Sequence, residues 1–181
     1  MKKLFMTLVA AVMAVSASAQ VYVGGTFSVD GHKEKAKAGG VEITTKDNTT
    51  YEFLPEIGYN IDKDLALGVA LGWQGATKGG AKAFEINPYA RLTFVHSKYV
   101  NVFVDGGVGY KNYYSNQDGE SFYIGLKPGL SVNLNKNFSF VTKVGFFGWS
   151  KTNDYNARTR TTDLGAKLDG NNIQFGVYYN F

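Results

Sequence analysis

Apolar and polar residues alternate along most of this chain, which is the period of a β-strand whose two faces meet different surroundings. The alternation marks eight runs of about ten residues, and after residue 19 the sequence shows no long apolar stripe of helical period. A tilted strand of about ten residues is long enough to cross a bilayer. The pattern therefore predicts eight strands, at residues 21–30, 51–61, 65–74, 84–94, 100–111, 122–132, 138–147 and 172–181.

The connections between these runs alternate in length. Three are short turns, whereas the other four are polar and mostly long. Short turns at one end and long loops at the other are typical of an outer-membrane barrel, and eight strands bring both chain ends to the turn side. We predict an all-β, eight-stranded antiparallel up-and-down transmembrane β-barrel, with turns at 62–64, 95–99 and 133–137 and loops at 31–50, 75–83, 112–121 and 150–171.

The first nineteen residues have the three parts of a secretory signal peptide. Lys2 and Lys3 are the positive region, residues 4–15 are apolar, and Ala17-Ser18-Ala19 supplies a small-x-small cleavage site. We therefore predict a signal peptide at 1–19 and a single barrel domain at 20–181. Removal of the signal peptide would take away Lys2 and Lys3 and lower the formal net charge from +4 to +2.

The direction of the apolar face decides between a membrane barrel and a soluble barrel of the lipocalin type, which would hold its apolar residues inside. Every charged residue that we assign to a strand lies on the polar parity, together with many Gly and Ala residues. Small residues make a poor solubilising exterior but suit a narrow lumen, which also has to hold Tyr89, Phe103, Tyr123 and Phe147. The apolar parity is therefore expected to face lipid.

Charges inside a narrow lumen are costly unless they are paired. Asp30 and Lys111 lie on the polar parity of their strands as well. We accordingly predict a structural network of ion pairs in the lumen. Its members are Glu52, Glu56, Glu85, Arg91, Asp105, Lys127 and Lys143.

Composition sharpens this interpretation. The chain has 181 residues, of which 44% are hydrophobic and 15% aromatic, so disorder is excluded as its main state. The absence of cysteine excludes disulfides and thiolate metal sites. The mean hydropathy of −0.18 averages two strand faces and does not argue against a barrel. Aromatic girdles are expected from Tyr51, Trp73, Phe84, Tyr110 and Phe122 near the loops, and from Phe94, Phe138, Tyr179 and Phe181 near the turns.

Two stretches carry a resemblance to a known family. The C-terminus, with Phe175, Val177, Tyr179 and the terminal Phe181, resembles the assembly signal of outer-membrane proteins. Residues 54–69 resemble the small OmpA/OmpX-like, porin-family barrels common in Bacteroidetes. The resemblance implies an outer-membrane location, contact with outer-membrane lipid and with the barrel-assembly machinery, and a monomer.

The candidates for chemistry are few. Some eight-stranded barrels modify lipid A with a histidine, but His96 is predicted in a turn and His32 in a charged loop, so we expect no enzyme. No metal, cofactor or nucleic-acid site is predicted. Basic loop residues form a possible contact with lipopolysaccharide phosphates, although a solvated surface is the simpler interpretation: Lys33, Lys35, Lys37, Lys78, Lys82, Lys151, Arg158 and Arg160.

We therefore expect a non-enzymatic outer-membrane protein with an envelope-structural or surface-interaction role through its loops. A narrow porin or small-ligand barrel is the alternative, and a lipid A-modifying enzyme is a more distant one. One repeat has no functional explanation: Pro55, Pro88 and Pro128 lie at one height on the lipid face, where we predict bulges that bend the wall.

Overall fold

The computed structural model describes residues 20–38, 41–77, 81–115, 118–167 and 173–181. Side chains are described for all of these residues except those within 30–48. The predicted signal peptide lies outside the described residues. None of the described residues forms a helix that is long and apolar enough to cross a membrane. The ten strand segments are β1 Val21–Ala38, β2 Val41–Asn60, β3 Leu65–Ala76, β4 Lys82–Val95, β5 Val100–Tyr114, β6 Gly119–Asn133, β7 Phe138–Val144, β8 Phe146–Asp154, β9 Thr159–Lys167 and β10 Ile173–Asn180.

These segments form a closed antiparallel barrel of eight strands, which confirms the predicted fold. We call each of the eight strand positions around the ring a wall, and β1 to β6 make one wall each. The seventh wall is divided into β7 and β8, and the eighth into β9 and β10, because both halves of each pair along the same neighbours. The ring closes where β10 pairs with β1, from Tyr22 opposite Asn180 to Phe27 opposite Phe175.

The apolar parity lies on the outside of the barrel. Phe53, Leu67, Leu92, Ile124 and Val177 have between 47% and 52% of their surface exposed. The neighbouring positions on the same strands, such as Leu54 and Ala66, are buried in the lumen. The outer surface is therefore a continuous apolar wall, since exposed apolar side chains follow from strand to strand around the ring.

The predicted girdle aromatics lie on this wall near its two ends. At the loop end, the rings of Trp73 and Phe84 lie 5.3 Å apart. At the turn end, Tyr179 contacts both Phe138 and Phe181, at 5.0 and 4.9 Å between ring centroids. The C-terminal residues Phe175, Val177 and Phe181 are exposed on the same face.

A bulge in the seventh wall reverses one part of the predicted parity. Gly145 has φ 76, a conformation that suits glycine, and it separates β7 from β8. Gly129 is opposite Lys143, whereas Leu126 is opposite Phe147, so one extra residue has entered the wall. A one-residue shift moves every later side chain to the other face. The prediction for this segment was wrong: Phe147 is exposed, and Phe146 lines the lumen.

The three prolines interrupt the ladder in two different ways. The pairing of β2 with β3 skips Pro55, and that of β4 with β5 skips Pro88, but the register is the same on either side. Proline lacks the N–H that these ladder positions need. At Pro128 the adjacent wall carries the bulge just described. The predicted bulges are therefore wrong for Pro55 and Pro88, and the bulge beside Pro128 lies on the neighbouring strand rather than at the proline.

The loop end is more regular than predicted. Strands β1 and β2 continue through the predicted loop 31–50 and remain paired as far as Ala38 opposite Val41. Strands β8 and β9 likewise pair within 150–171, joined by a turn at 155–158. The physical reason is that an antiparallel hairpin satisfies its own backbone groups, so it extends beyond the barrel without needing an apolar face.

Candidate functional site in the barrel lumen

The middle of the lumen, between two cavities, is filled by a cluster of buried ionic side chains, which we call the waist cluster: Glu56, Arg91, Asp105 and Lys143. Arg91 donates two parallel hydrogen bonds to Asp105, at 2.7 and 2.8 Å. Lys143 lies 2.8 Å from Glu56 and 3.1 Å from Asp105. Two cations and two carboxylates thus pair completely, which is the condition under which buried charges are tolerated.

Hydroxyl groups satisfy the remaining acceptors of Glu56, whose side chain is 0% exposed. The hydroxyls of Tyr89 and Tyr178 each donate to it at 2.8 Å, and Thr26 donates at 3.2 Å. Tyr22 bonds in turn to Tyr89, at 2.8 Å between the hydroxyl oxygens. The waist cluster is therefore a fully satisfied network, the arrangement in which buried polar groups rigidify a protein.

Aromatic rings enclose the Arg91 guanidinium. Its central carbon lies 3.9 Å from the ring centroid of Phe103 and 5.1 Å from that of Tyr178. Phe103 is 1% exposed and is among the largest fully buried side chains of the described residues. Cation–π contact and stacking add to the hydrogen bonds, so Arg91 is held on all sides.

The lumen aromatics lie flat against glycines on adjacent strands. A Cβ atom on any of these glycines would lie within 2.6 Å of the ring, which no real packing allows. The predicted use of the small residues, to make room for bulky neighbours, is what the packing shows. The pairs are Tyr22 with Gly58, Tyr89 with Gly68, Phe103 with Gly129, Tyr123 with Gly109, and Tyr178 with Gly24.

A second ionic layer lies closer to the loop end. The Lys111 ammonium group contacts Glu52 at 2.6 Å and Glu85 at 2.9 Å, and it also lies 3.3 Å from Gln74. Tyr123 donates a hydrogen bond to the other oxygen of Glu85. Among the described residues, Lys127 has one hydrogen bond, to the hydroxyl of Tyr123 at 3.4 Å.

Two cavities flank the waist cluster and share no lining residue. The loop-end cavity has a volume of about 340 Å³ and is lined by residues of the second ionic layer, by Lys143 and by Phe146. The turn-end cavity has a volume of about 360 Å³ and is lined by Arg91, Phe103 and several asparagines. The waist cluster therefore lies between two polar vestibules.

The structure places all seven residues of the predicted network in the lumen, but in two layers. Glu56, Arg91, Asp105 and Lys143 form the waist, and Glu52 and Glu85 pair with Lys111 above it. Lys127 stays outside the ion pairs of the described residues. Sequence analysis missed the tyrosines as network members, although Tyr22 and Tyr178 already stood on the polar parity. Nothing in the sequence pointed to Phe146, because the bulge that turns it inward has no signal beyond one glycine.

The other candidate residues do not belong to the ionic network, although His96 lines the turn-end cavity. The His96 imidazole is half exposed in the turn after β4, where its Nε2 lies 2.7 Å from the carbonyl oxygen of Lys63. His32 is paired in β1, but its side chain is outside the described part, as are those of Asp30, Lys33, Lys35, Lys37 and Lys78. Among the described residues, no group of three acidic or histidine side chains is placed to hold a metal ion.

At the loop end, the β8–β9 hairpin and the start of β6 form a polar surface. Glu120 accepts a hydrogen bond from Asn153 at 3.0 Å, and Arg160 donates to the same Asn153 at 3.0 Å. Arg158 and Tyr155 line the shallow groove beside them. Acids and bases alternate here, so this surface has no strong net charge.

Comparison with known proteins supports the fold. No family model matches the chain, and no curated protein matches it in sequence. The crystal structure of Neisserial surface protein A is similar, with a TM-score of 0.55 and 15% identity over 91% of this chain and 98% of that one. The outer-membrane protein OprG from Pseudomonas aeruginosa is similar at a TM-score of 0.51 and 13% identity, over 90% and 96%. At these identities the likeness shows a shared barrel fold.

Proposed function

We propose that this chain is a non-enzymatic integral outer-membrane β-barrel that contributes to the envelope or to surface interaction through its loop-end hairpins. The observation that carries the proposal is the division of the barrel surface: apolar side chains cover the outside, and paired charges fill the lumen. A detergent-free soluble protein would not expose so large an apolar wall. The predicted export signal at 1–19 and the resemblance to OmpA/OmpX-like barrels agree with this location.

The waist cluster favours a plugged barrel over a porin. Conduction would require ions to pass Glu56, Arg91 and Lys143, whose side chains are at most 9% exposed and mutually paired. An eight-stranded barrel is just wide enough for its own side chains to fill. We therefore propose that this barrel functions through its two ends. We infer contacts with lipid, with the assembly machinery and, at the loop end, with lipopolysaccharide.

The location and oligomeric state can be tested on the refolded protein. A barrel of this kind should migrate differently on gels before and after heating, insert into lipid vesicles and sediment as a monomer in detergent. A monomer that stays soluble without detergent would contradict the proposal at its root.

Single-channel recording in planar bilayers tests the plugged state. We expect no steady openings from the wild-type barrel. An Arg91→Ser and Phe103→Ala double variant, which removes the stacked pair at the waist, should conduct and serves as the positive control. Steady openings from the wild type would favour the narrow-porin alternative instead.

The enzymatic alternative has its own test. We expect lipid A from cells that express the chain to keep its mass. A mass shift that disappears in His32→Ala would reinstate a lipid-modifying enzyme and would overturn the non-enzymatic assignment.

A further inference from the structure

Of the three lysines on the polar parity of the predicted strands, Lys127 alone lacks an ion-pair partner among the described residues. Lys111 contacts two carboxylates, and Lys143 contacts two others. The Lys127 ammonium group has one long hydrogen bond, to Tyr123, whose ring centroid lies 5.0 Å away. An ammonium group has three donors, so two of them are available.

The carboxylates around Lys127 already bond to other groups, Glu52 to Lys111 among them. Asp105 is directly opposite Lys127 on β5, yet both of its oxygens bond to Arg91 and one of them also to Lys143. Glu85 uses one oxygen for Tyr123 and the other for Lys111. Lys127 is therefore not the missing partner of a neighbouring acid.

The bulge explains why no partner comes from the other side. On the seventh wall, the residues opposite Lys127 are Gly145 and Phe146, since the register changes between Gly129–Lys143 and Leu126–Phe147. A glycine and a phenylalanine offer no acceptor side chain. The backbone irregularity thus leaves an ammonium group facing open space rather than a second wall residue.

That open space is the loop-end cavity. Its lining carries four lysines, Lys111, Lys127, Lys143 and Lys167, against Glu52, Glu85 and Asp163. Lys143 is already paired in the waist cluster, and the other three lysines match the three carboxylates in number, so the rest of the lining has no net charge and Lys127 is the lysine without an ion pair among the described residues. Hydroxyl groups of Ser150 and Thr152 also line it, and its volume of about 340 Å³ holds a molecule of a few heavy atoms with its water.

From these observations we propose that the loop-end cavity binds a small oxyanion, a carboxylate or a phosphate, whose negative group is held by the Lys127 ammonium group. The surrounding hydroxyls supply further donors, and Phe146 supplies an apolar wall beside a carbon-bearing ligand. The ligand stays above the waist cluster, so this site requires no conduction through the barrel and does not depend on the surface role proposed above.

The test uses the whole barrel, labelled with ¹⁵N and refolded in detergent micelles. Sodium acetate and sodium phosphate are titrated separately, with sodium chloride at matched ionic strength as the baseline, because screening alone shifts exposed amides. Backbone amide shifts of Lys127, Tyr123, Phe146 and Ser150 report on the cavity. We expect saturable shifts at these residues with acetate, with phosphate or with both, which also tells the two ligand classes apart.

Two matched variants locate the binding group. Lys127→Met keeps the stem and removes the charge, and we expect it to weaken the apparent affinity at least tenfold. Lys98→Met removes an exposed lysine at the turn end and should leave the affinity unchanged. Should Lys127→Met fail to refold, Lys127→Gln takes its place, and Lys127→Arg, which keeps the charge, should retain binding.

Several results would overturn the proposal. Shifts that do not saturate, that spread evenly over the chain or that chloride reproduces would show only a general salt effect. Equal affinity in Lys127→Met and wild type would show that the anion binds elsewhere.

Discussion

Two layers of the lumen each contain two cations and two carboxylates, but these charges are paired differently in the two layers. At the waist, Arg91 and Lys143 meet Glu56 and Asp105, and every charge has a partner within 3.1 Å. Toward the loop end, Lys111 pairs with both carboxylates, and Lys127 faces a cavity. Composition alone therefore does not determine whether side chains fill a lumen. Closure depends on whether cations and carboxylates are matched within hydrogen-bonding reach.

The boundary between the two layers is a backbone feature. Below Gly145, β7 delivers Lys143 to the waist; above it, β8 delivers Phe146 to the cavity. Bulges commonly re-aim a side chain beside functional sites. In this barrel the bulge separates the waist cluster, in which every charge is paired, from the loop-end layer, in which Lys127 has no ion pair among the described residues.

The largest expected effect comes from breaking the waist. Lys143→Met leaves Glu56 without its cation and weakens the support of Asp105, in a site where both carboxylates are buried. Removing one partner of a buried pair costs about 3–5 kcal/mol. We expect a loss of this size in the free energy of unfolding, measured by urea titration of the barrel in lipid vesicles.

A matched double variant separates charge from packing. Lys143→Met combined with Glu56→Gln removes both members of the pair and should recover part of that loss. If the single variant unfolds at the wild-type urea concentration, the waist cluster does not stabilise the barrel.

The next effect concerns the bulge. Gly145→Val places a β-branched residue at φ 76, where L-residues are strained by about 1–2 kcal/mol. We expect the urea midpoint to fall accordingly. Gly145→Asn is the control, since asparagine tolerates this conformation better, and its midpoint should lie closer to that of the wild type.

The orientation of the flanking aromatics checks the same bulge independently of stability. In brominated lipid, a tryptophan at position 147 should be quenched, because that side chain faces outward, and one at position 146 should not. Trp73 and Trp149 are first replaced by phenylalanine. The opposite quenching pattern would restore the unbroken parity of the sequence-based prediction.

A smaller effect is expected from Lys127. Because this lysine has no ion pair among the described residues, Lys127→Met should lower the free energy of unfolding by clearly less than the about 3–5 kcal/mol expected for Lys143→Met. The contrast with Lys143→Met, made by the same substitution one layer away, is the sharpest test of the comparison. Equal losses would mean that the two layers are energetically alike.

The smallest effect is expected at a carboxylate outside the lumen. Asp62, in the turn after β2, accepts hydrogen bonds from the backbone N–H groups of Asp64 and Leu65 at 2.7 and 2.8 Å, which lower its pKa from 3.8. A lowered folded-state pKa gives stability that is present above pH 3.8 and lost as the pH falls through the lower value. Asp62→Ala should therefore be less stable than the wild type at pH 7, measured by urea titration, and the difference should vanish in strong acid. A difference that persists there would assign the effect to packing.

Much of the lumen followed from parity. Glu56, Arg91, Asp105 and Lys143 stood on the polar face of four separate runs, and a strand period of two is enough to send them all inward. Their pairing followed only in part: Asp105 is directly opposite both Arg91 and Lys127 in register, yet it bonds to Arg91 and to the distant Lys143 rather than to Lys127. Side-chain length and the curvature of the wall decide which ions meet, and neither is written in the alternation.

The alternation was enough to predict the number of strands, the lumen-facing positions of every strand except beyond Gly145 in the seventh, and the use of glycine beside the lumen aromatics. These properties are local, because they depend on a period of two and on side-chain size. Only the tertiary structure decided the bulge at Gly145, the inward turn of Phe146 and the isolation of Lys127. Register between distant strands is set by closure of the whole ring, and a single inserted residue redirects everything that follows it.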